Sequence, residues 1–142
     1  MVELKPEIGL VIHHAYLWWN EARQGREEGR KDRPCVIIHI RANEHEELET
    51  FICPITHTPP AFPEKAMEIP RATKARFGLD DERSWIITTE VNRFIWPGPD
   101  IRPVPGGGYS FGLLPGAMAR ELVQRIKENA QDRSLLVVRR TD

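Results

Sequence analysis

The sequence is poor in cysteine: Cys35 and Cys53 are its two thiols, with no CxxC pair, so a disulfide framework and a cysteine zinc site are both unexpected and the thiols are expected in the core. The five histidines fall at no zinc-binding spacing either, and the adjacent His13 and His14 would point to opposite faces of a strand. No metal and no other cofactor is expected. No apolar run approaches the ~20 residues of a membrane-crossing helix. The opening MVELKPE carries acid and proline where an export signal carries basic residues and an apolar stretch, which makes a cytoplasmic location, with no membrane partner, the expectation. An excess of either charge is missing too. Lys and Arg number 20 against 21 Asp and Glu, so there is no bulk attraction to nucleic acid and any polyanion site has to be local.

What is present is a chain of 142 residues, 40% hydrophobic and 29% charged, enough for one domain spanning 1–142 with a core of its own. Twelve prolines and ten glycines cut it into short segments, which predicts a β-rich α+β fold. Segments 8–16, 34–41, 49–55, 66–69, 85–90, 93–96 and 109–113 are rich in β-branched or aromatic residues and predict strands. They lie too close together for βαβ crossovers, so the expected architecture is an antiparallel sheet curled into a small barrel. Two helices interrupt it. A short one over 71–77 follows Pro70 and ends at Gly78; a longer C-terminal one follows Pro115, with Met118, Leu122, Val123, Ile126 and Ala130 on one face. The tail 134–138 predicts either a last strand or an arm on a partner subunit. Charge-dense 24–33 and Pro/Gly-dense 97–108 predict long loops, where binding is sought first.

Three segments offer chemistry. In the first, a loop carrying Arg26, Arg30 and Lys31 runs into Arg33-Pro34 and a β-branched strand. Pro34 holds Arg33 extended, and a guanidinium fixed there can grip a phosphate through two parallel hydrogen bonds; the plainer reading pairs Arg33 with Glu27, Glu28 or Asp32 in a solvated loop. In the second, Cys53-Pro54-Ile55 gives out into Thr56-His57-Thr58-Pro59-Pro60, a hydroxyl donor beside an imidazole able to exchange protons near neutral pH. The plainer reading is a side-chain turn ahead of the diproline. The third carries Thr88 and Glu90 on one strand face with Arg93 following, either a surface ion pair or part of a site. Trp18, Trp19, Trp85 and Trp96 offer stacking platforms, although tryptophans in small β domains more often fill the core.

The order of these segments, Arg33-Pro34 with a β-branched strand, then Pro54-Ile55-Thr56, then Glu90 followed by Arg93, resembles the MazF/PemK family of toxin endoribonucleases, over a stretch from Gly9 to about Glu128. The resemblance implies a small SH3-like antiparallel β-barrel. It further implies a homodimer that cuts single-stranded RNA without a metal and is neutralised by a cognate antitoxin. Family chemistry is attack of a ribose 2′-hydroxyl on the adjacent phosphate, which needs a proton acceptor, a proton donor and positive charge at the non-bridging oxygens. It assigns Arg33 to the phosphate, with proton donation, Thr56 to a hydrogen bond on the same group, and Glu90 to the position of the base. His57 joins them on chemistry alone, and Arg26, Arg30, Lys31 and Arg93 are the candidate RNA contacts. The chain differs from the family at Arg26 and Glu27, where some members carry a histidine, and at Thr88, where some carry an arginine. Two other expectations stand beside this one: a barrel-fold toxin that acts through protein contact without catalysis, and a regulatory binding module.

Overall fold

Residues 33–38 read Arg-Pro-Cys-Val-Ile-Ile, and Cys35 to Ile38 are all buried, so this stretch has no solvent face. In the computed structural model, which describes residues 4–25 and 31–140, it is β2 (Arg33–Ala42) and lies in the middle of the sheet. Its alternating side chains feed two cores. Val36 and Ile38 face one, shared with Cys53, Ile55, Phe77 and Leu122; Cys35 and Ile37 face the other, shared with Ile12, Tyr16, Ile52 and Phe94. Both thiols are free and buried, as expected.

Antiparallel neighbours flank β2: β1 (Leu10–His14), in register Val11↔Val36, and β3 (Leu48–Thr56), in register Val36↔Cys53 with an irregularity between Ile37 and His39. His13 is half-buried with Nδ1 against the Pro103 carbonyl, while His14 is fully buried, the opposed pair that adjacency on a strand dictates. The nine strands include β4 (Ala66–Glu68), β5 (Trp85–Ile87), β6 (Glu90–Ile95), β7 (Ile101–Arg102), β8 (Ser110–Leu113) and β9 (Leu136–Arg139). The middle of β3 pairs with β6, but its last two residues pair with β5, in register Thr56↔Trp85. That change of partner brings the end of β3 out beside the loop before β5.

Three helices cover this sheet: α1 (Trp19–Arg23), α2 (Arg71–Phe77) and α3 (Gly116–Gln131). Gly78 takes the left-handed conformation (φ 70°) that closes α2, and Leu122 and Ile126 are the buried face of α3. Among the described residues no helix is long and apolar enough to cross a membrane.

Three expectations change, and one that stood open is resolved. The sheet does not close into a barrel: its path β4-β5-β3-β2-β1-β7 is open, with β6 and β9 branching from β3 and β8 from β1. Its end strands have only three and two residues, and Pro99 and Pro103 beside β7 contribute no amide hydrogen. The predicted strand 85–90 is broken, because the Thr88 N–H turns to the Lys65 carbonyl and its own carbonyl takes the Asn129 amide, so Thr88 and Glu90 share no strand face. The expected loops 24–33 and 97–108 contain the start of β2 and all of β7. The tail forms β9, which runs parallel to β6 of its own chain in register Val91↔Val137.

Candidate functional site

Arg33 opens β2, paired opposite His14, with Pro34 fixing its extended backbone. Its guanidinium lies over the Trp18 ring, Cζ 4.9 Å from the centroid, and its Nε is buried without a hydrogen-bond partner. The aromatic quadrupole holds the cation's plane while leaving its charge uncompensated. Among the described residues no carboxylate pairs with Arg33: Asp32 instead faces Arg102, at 3.7 Å. Of the other partners weighed for it, Glu27 and Glu28 lie outside the described residues, as do Arg26 and Arg30.

Trp18 is itself held from β6. The buried Asn92 side chain accepts from the Leu17 N–H (2.8 Å) and donates to the Leu17 carbonyl (2.7 Å), a two-sided grip on the residue before Trp18. The Trp18 N–H donates to Glu21 Oε1 (3.1 Å), which starts α1.

Trp18, Lys31 and Arg33 form a partition between two cavities. One, of about 520 Å³, lies beside α1 and is walled by Tyr16, Asn20, Gln24 and Glu90. Glu90 is the first residue of β6 and is half-buried; its Oε1 accepts from the Tyr16 hydroxyl and from the Trp19 N–H, each at 3.1 Å. Burial pushes its carboxyl above the ordinary range, partly opposed by those two hydrogen bonds. Burial also pushes the Tyr16 hydroxyl well up, so at neutral pH it is a donor and not an anion. The result is a carboxyl that takes up a proton more readily than an exposed glutamate, in a cavity that Arg33 also lines.

The second cavity, of about 360 Å³, lies at the end of β3 and is walled by Thr56, His57, Lys74, Asp80 and Ser84. Thr56 Oγ1 accepts from the Thr58 N–H (3.2 Å), the turn that its place before the diproline suggested, and its own hydroxyl proton is still available to donate. His57 is more tied. Nε2 is 2.9 Å from Asp80 Oδ2 and 3.7 Å from Glu82 Oε2, while Nδ1 is 3.0 Å from the Arg83 carbonyl and 3.1 Å from Ser84 Oγ. Both ring nitrogens are engaged with the loop before β5, so His57 has to break a contact before it can protonate a bound group.

Lys74, on the inward side of α2, is the hub of that loop. Its buried ammonium donates to Asp80 Oδ1 (2.8 Å), Ser84 Oγ (2.7 Å) and the Glu82 carbonyl. The Lys74 hydrogen bond, with the His57 charge, holds the Asp80 carboxyl below its usual range. His57, Asp80 and Glu82 have ligand atoms within 4.8 Å of one another, the spacing a divalent cation uses. Asp80 is already neutralised by Lys74, and the Nε2 to Oδ2 distance is that of a hydrogen bond; the group reads as an ion-pair cluster.

Of the sequence-derived candidates, Arg33, Thr56, His57, Glu90 and Lys31 come together around the two cavities. Arg93 does not, since it lies with Glu49 and Arg139 on another part of the surface, and Glu90 makes no pair with it. Sequence reading missed Lys74, Asp80 and Ser84. The available signal was a lysine three residues before the buried Phe77 on a short helix, followed by Asp80-Asp81-Glu82. Comparison of the chain with protein-family models, curated proteins and solved structures finds no match.

Proposed function

We propose that the protein is a metal-independent endoribonuclease of MazF/PemK toxin type, and that the two cavities hold single-stranded RNA with its scissile phosphate on the Arg33 partition. The observation that carries the reading is the Arg33 guanidinium, stacked on Trp18 with no carboxylate partner among the described residues and lining both the cavity that holds Glu90 and the cavity that holds Thr56. Glu90 takes the proton of the ribose 2′-hydroxyl. The 2′-oxygen forms a bond to phosphorus, the bond to the 5′-oxygen breaks, and a 2′,3′-cyclic phosphate and a 5′-hydroxyl result. Arg33 and Thr56 donate to the non-bridging oxygens as negative charge grows there. The resemblance makes Arg33 also the donor of the proton that the departing oxygen takes up. The same reading treats the open, curled sheet as a variant of the family's SH3-like framework, and carries a homodimer and a cognate antitoxin with it.

The test is incubation of the purified protein with single-stranded RNA in EDTA, with product ends analysed. Cleavage leaving cyclic phosphate and 5′-hydroxyl ends, blocked by 2′-deoxy substitution at the cut, is the expected result. Cleavage only after Mg²⁺ or Mn²⁺ is added, or full activity in a folded Arg33→Ala variant, overturns it.

A further inference from the structure

The two cavities are chemically unlike, and a phosphodiester is unlike on its two sides. The nucleoside 5′ of the cut phosphate brings the attacking 2′-hydroxyl and needs a proton acceptor; the nucleoside 3′ of it brings only a leaving oxygen. Glu90 lies on the α1 side of the partition alone, and Thr56, Lys74 and Ser84 lie on the β3 side alone. Resting on the endoribonuclease reading, we propose that the cavity beside α1 receives the nucleoside 5′ of the cut and that Asn20 and Gln24 read its base as adenine.

Asn20 and Gln24 stand four residues apart, one turn of α1 and the residue that follows it, so their side chains emerge from the same face. Both are exposed, both line this cavity, and neither carboxamide has a hydrogen-bond partner among the described residues. A carboxamide pairs with the N6 amino group and N7 of adenine through two parallel hydrogen bonds. The volume of about 520 Å³ is the larger of the two and suits a purine nucleoside. On the β3 side, His57, Lys74, Asp80 and Ser84 are locked to one another at 2.7–3.1 Å. Those groups are spent on each other, so that side holds sugar and phosphate and leaves the 3′ base little read.

The experiment digests a single-stranded RNA library with a randomised seven-nucleotide window in EDTA and maps the cut ends. The wild-type protein should favour adenine immediately 5′ of the cut and show a weaker preference on the 3′ side. The exposed double variant Asn20→Ala/Gln24→Ala, checked for an unchanged melting temperature, should lose roughly tenfold or more of the adenine preference while its 3′ preference stays as before. Unchanged 5′ preference in the variant, or an adenine preference on the 3′ side in the wild type, overturns this inference and leaves the endoribonuclease reading standing. A wild-type protein that cuts no member of the library overturns both.

Discussion

His14 is a titratable ring sealed inside the fold, and replacing it with phenylalanine should change how stability depends on pH. The ring is fully buried and packs on Phe94 with centroids 4.7 Å apart, and neither of its nitrogens has a hydrogen-bond partner. Burial, and then the charges of Arg140 and Arg102, lower its pKa from 6.5 to about 3. In the unfolded chain the ring binds a proton below pH 6.5, whereas in the folded chain it does not until about pH 3. Its contribution to stability is therefore complete above pH 6.5 and is lost progressively as pH falls toward 3. Integrating the linkage relation between pH 7.5 and pH 5 gives a loss of about 2 kcal/mol from this residue. His14→Phe preserves a flat ring against Phe94 and has no proton to lose, so that portion of the acid sensitivity should vanish. At neutral pH the variant should be at least as stable, since two unsatisfied nitrogens leave the core. Urea unfolding of both proteins at pH 7.5 and pH 5 measures it. The lower limit stays above the range in which Glu49, Glu68, Asp80 and Asp132, all held below their usual values, take up protons. Equal losses of stability in wild type and variant over this interval would refute the reasoning.

Arg33→Lys keeps the charge but loses the planar fork that lies on Trp18; single-turnover cleavage should slow on the order of 10²-fold while RNA affinity by fluorescence titration changes little. Thr56→Val should be comparably severe in the same assay, whereas His57→Gln, whose ring nitrogens face the loop before β5, should be mild or intermediate; the reverse order would move the proton chemistry to His57. Glu90→Gln should be intermediate in rate and should flatten the acid limb of the kcat/KM profile, which in the wild type rises as pH passes the raised pKa of Glu90. A variant profile that keeps the wild-type acid limb would remove Glu90 as the base.

Much of the sheet is legible because β-branched runs such as Val36-Ile37-Ile38 bury on both faces, and because Pro70 and Gly78 bracket α2 with fixed backbone preferences. Closure was not legible. The end strands β4 and β7 have only three and two residues and pair with β5 and β1, partners distant in sequence. Helix α1 was hidden because Trp18-Trp19 has the composition of a strand; in the fold the Trp18 N–H donates to Glu21 and the Trp18 carbonyl accepts from the Ala22 N–H. The site divides in the same way. Arg33, Thr56 and Glu90 stand at strand ends, where sequence marks them, while Lys74 acts through Asp80 and Ser84, six and ten residues further on, across a loop whose path only the folded chain defines. That Arg33 has no carboxylate partner among the described residues also depended on Asp32 turning to Arg102.

The grip of Asn92 on Leu17 has a counterpart at the other end of the described chain. Arg140, just after β9, donates to the Ala15 carbonyl at 2.7 Å and pairs with Asp100 at 3.0 Å, inside the protein. The strand that carries Glu90 is thus clasped between the segment leading to Trp18 and β9, the last of the described strands. On the ribosome, residues 136–140 emerge after every other described element, and until they do β6 is a bare edge and the Ala15 carbonyl lacks this partner. The wall that carries Trp18 thus draws part of its support from a residue 125 positions further along the chain, whereas Arg33 is placed by pairing with the neighbouring strand β1.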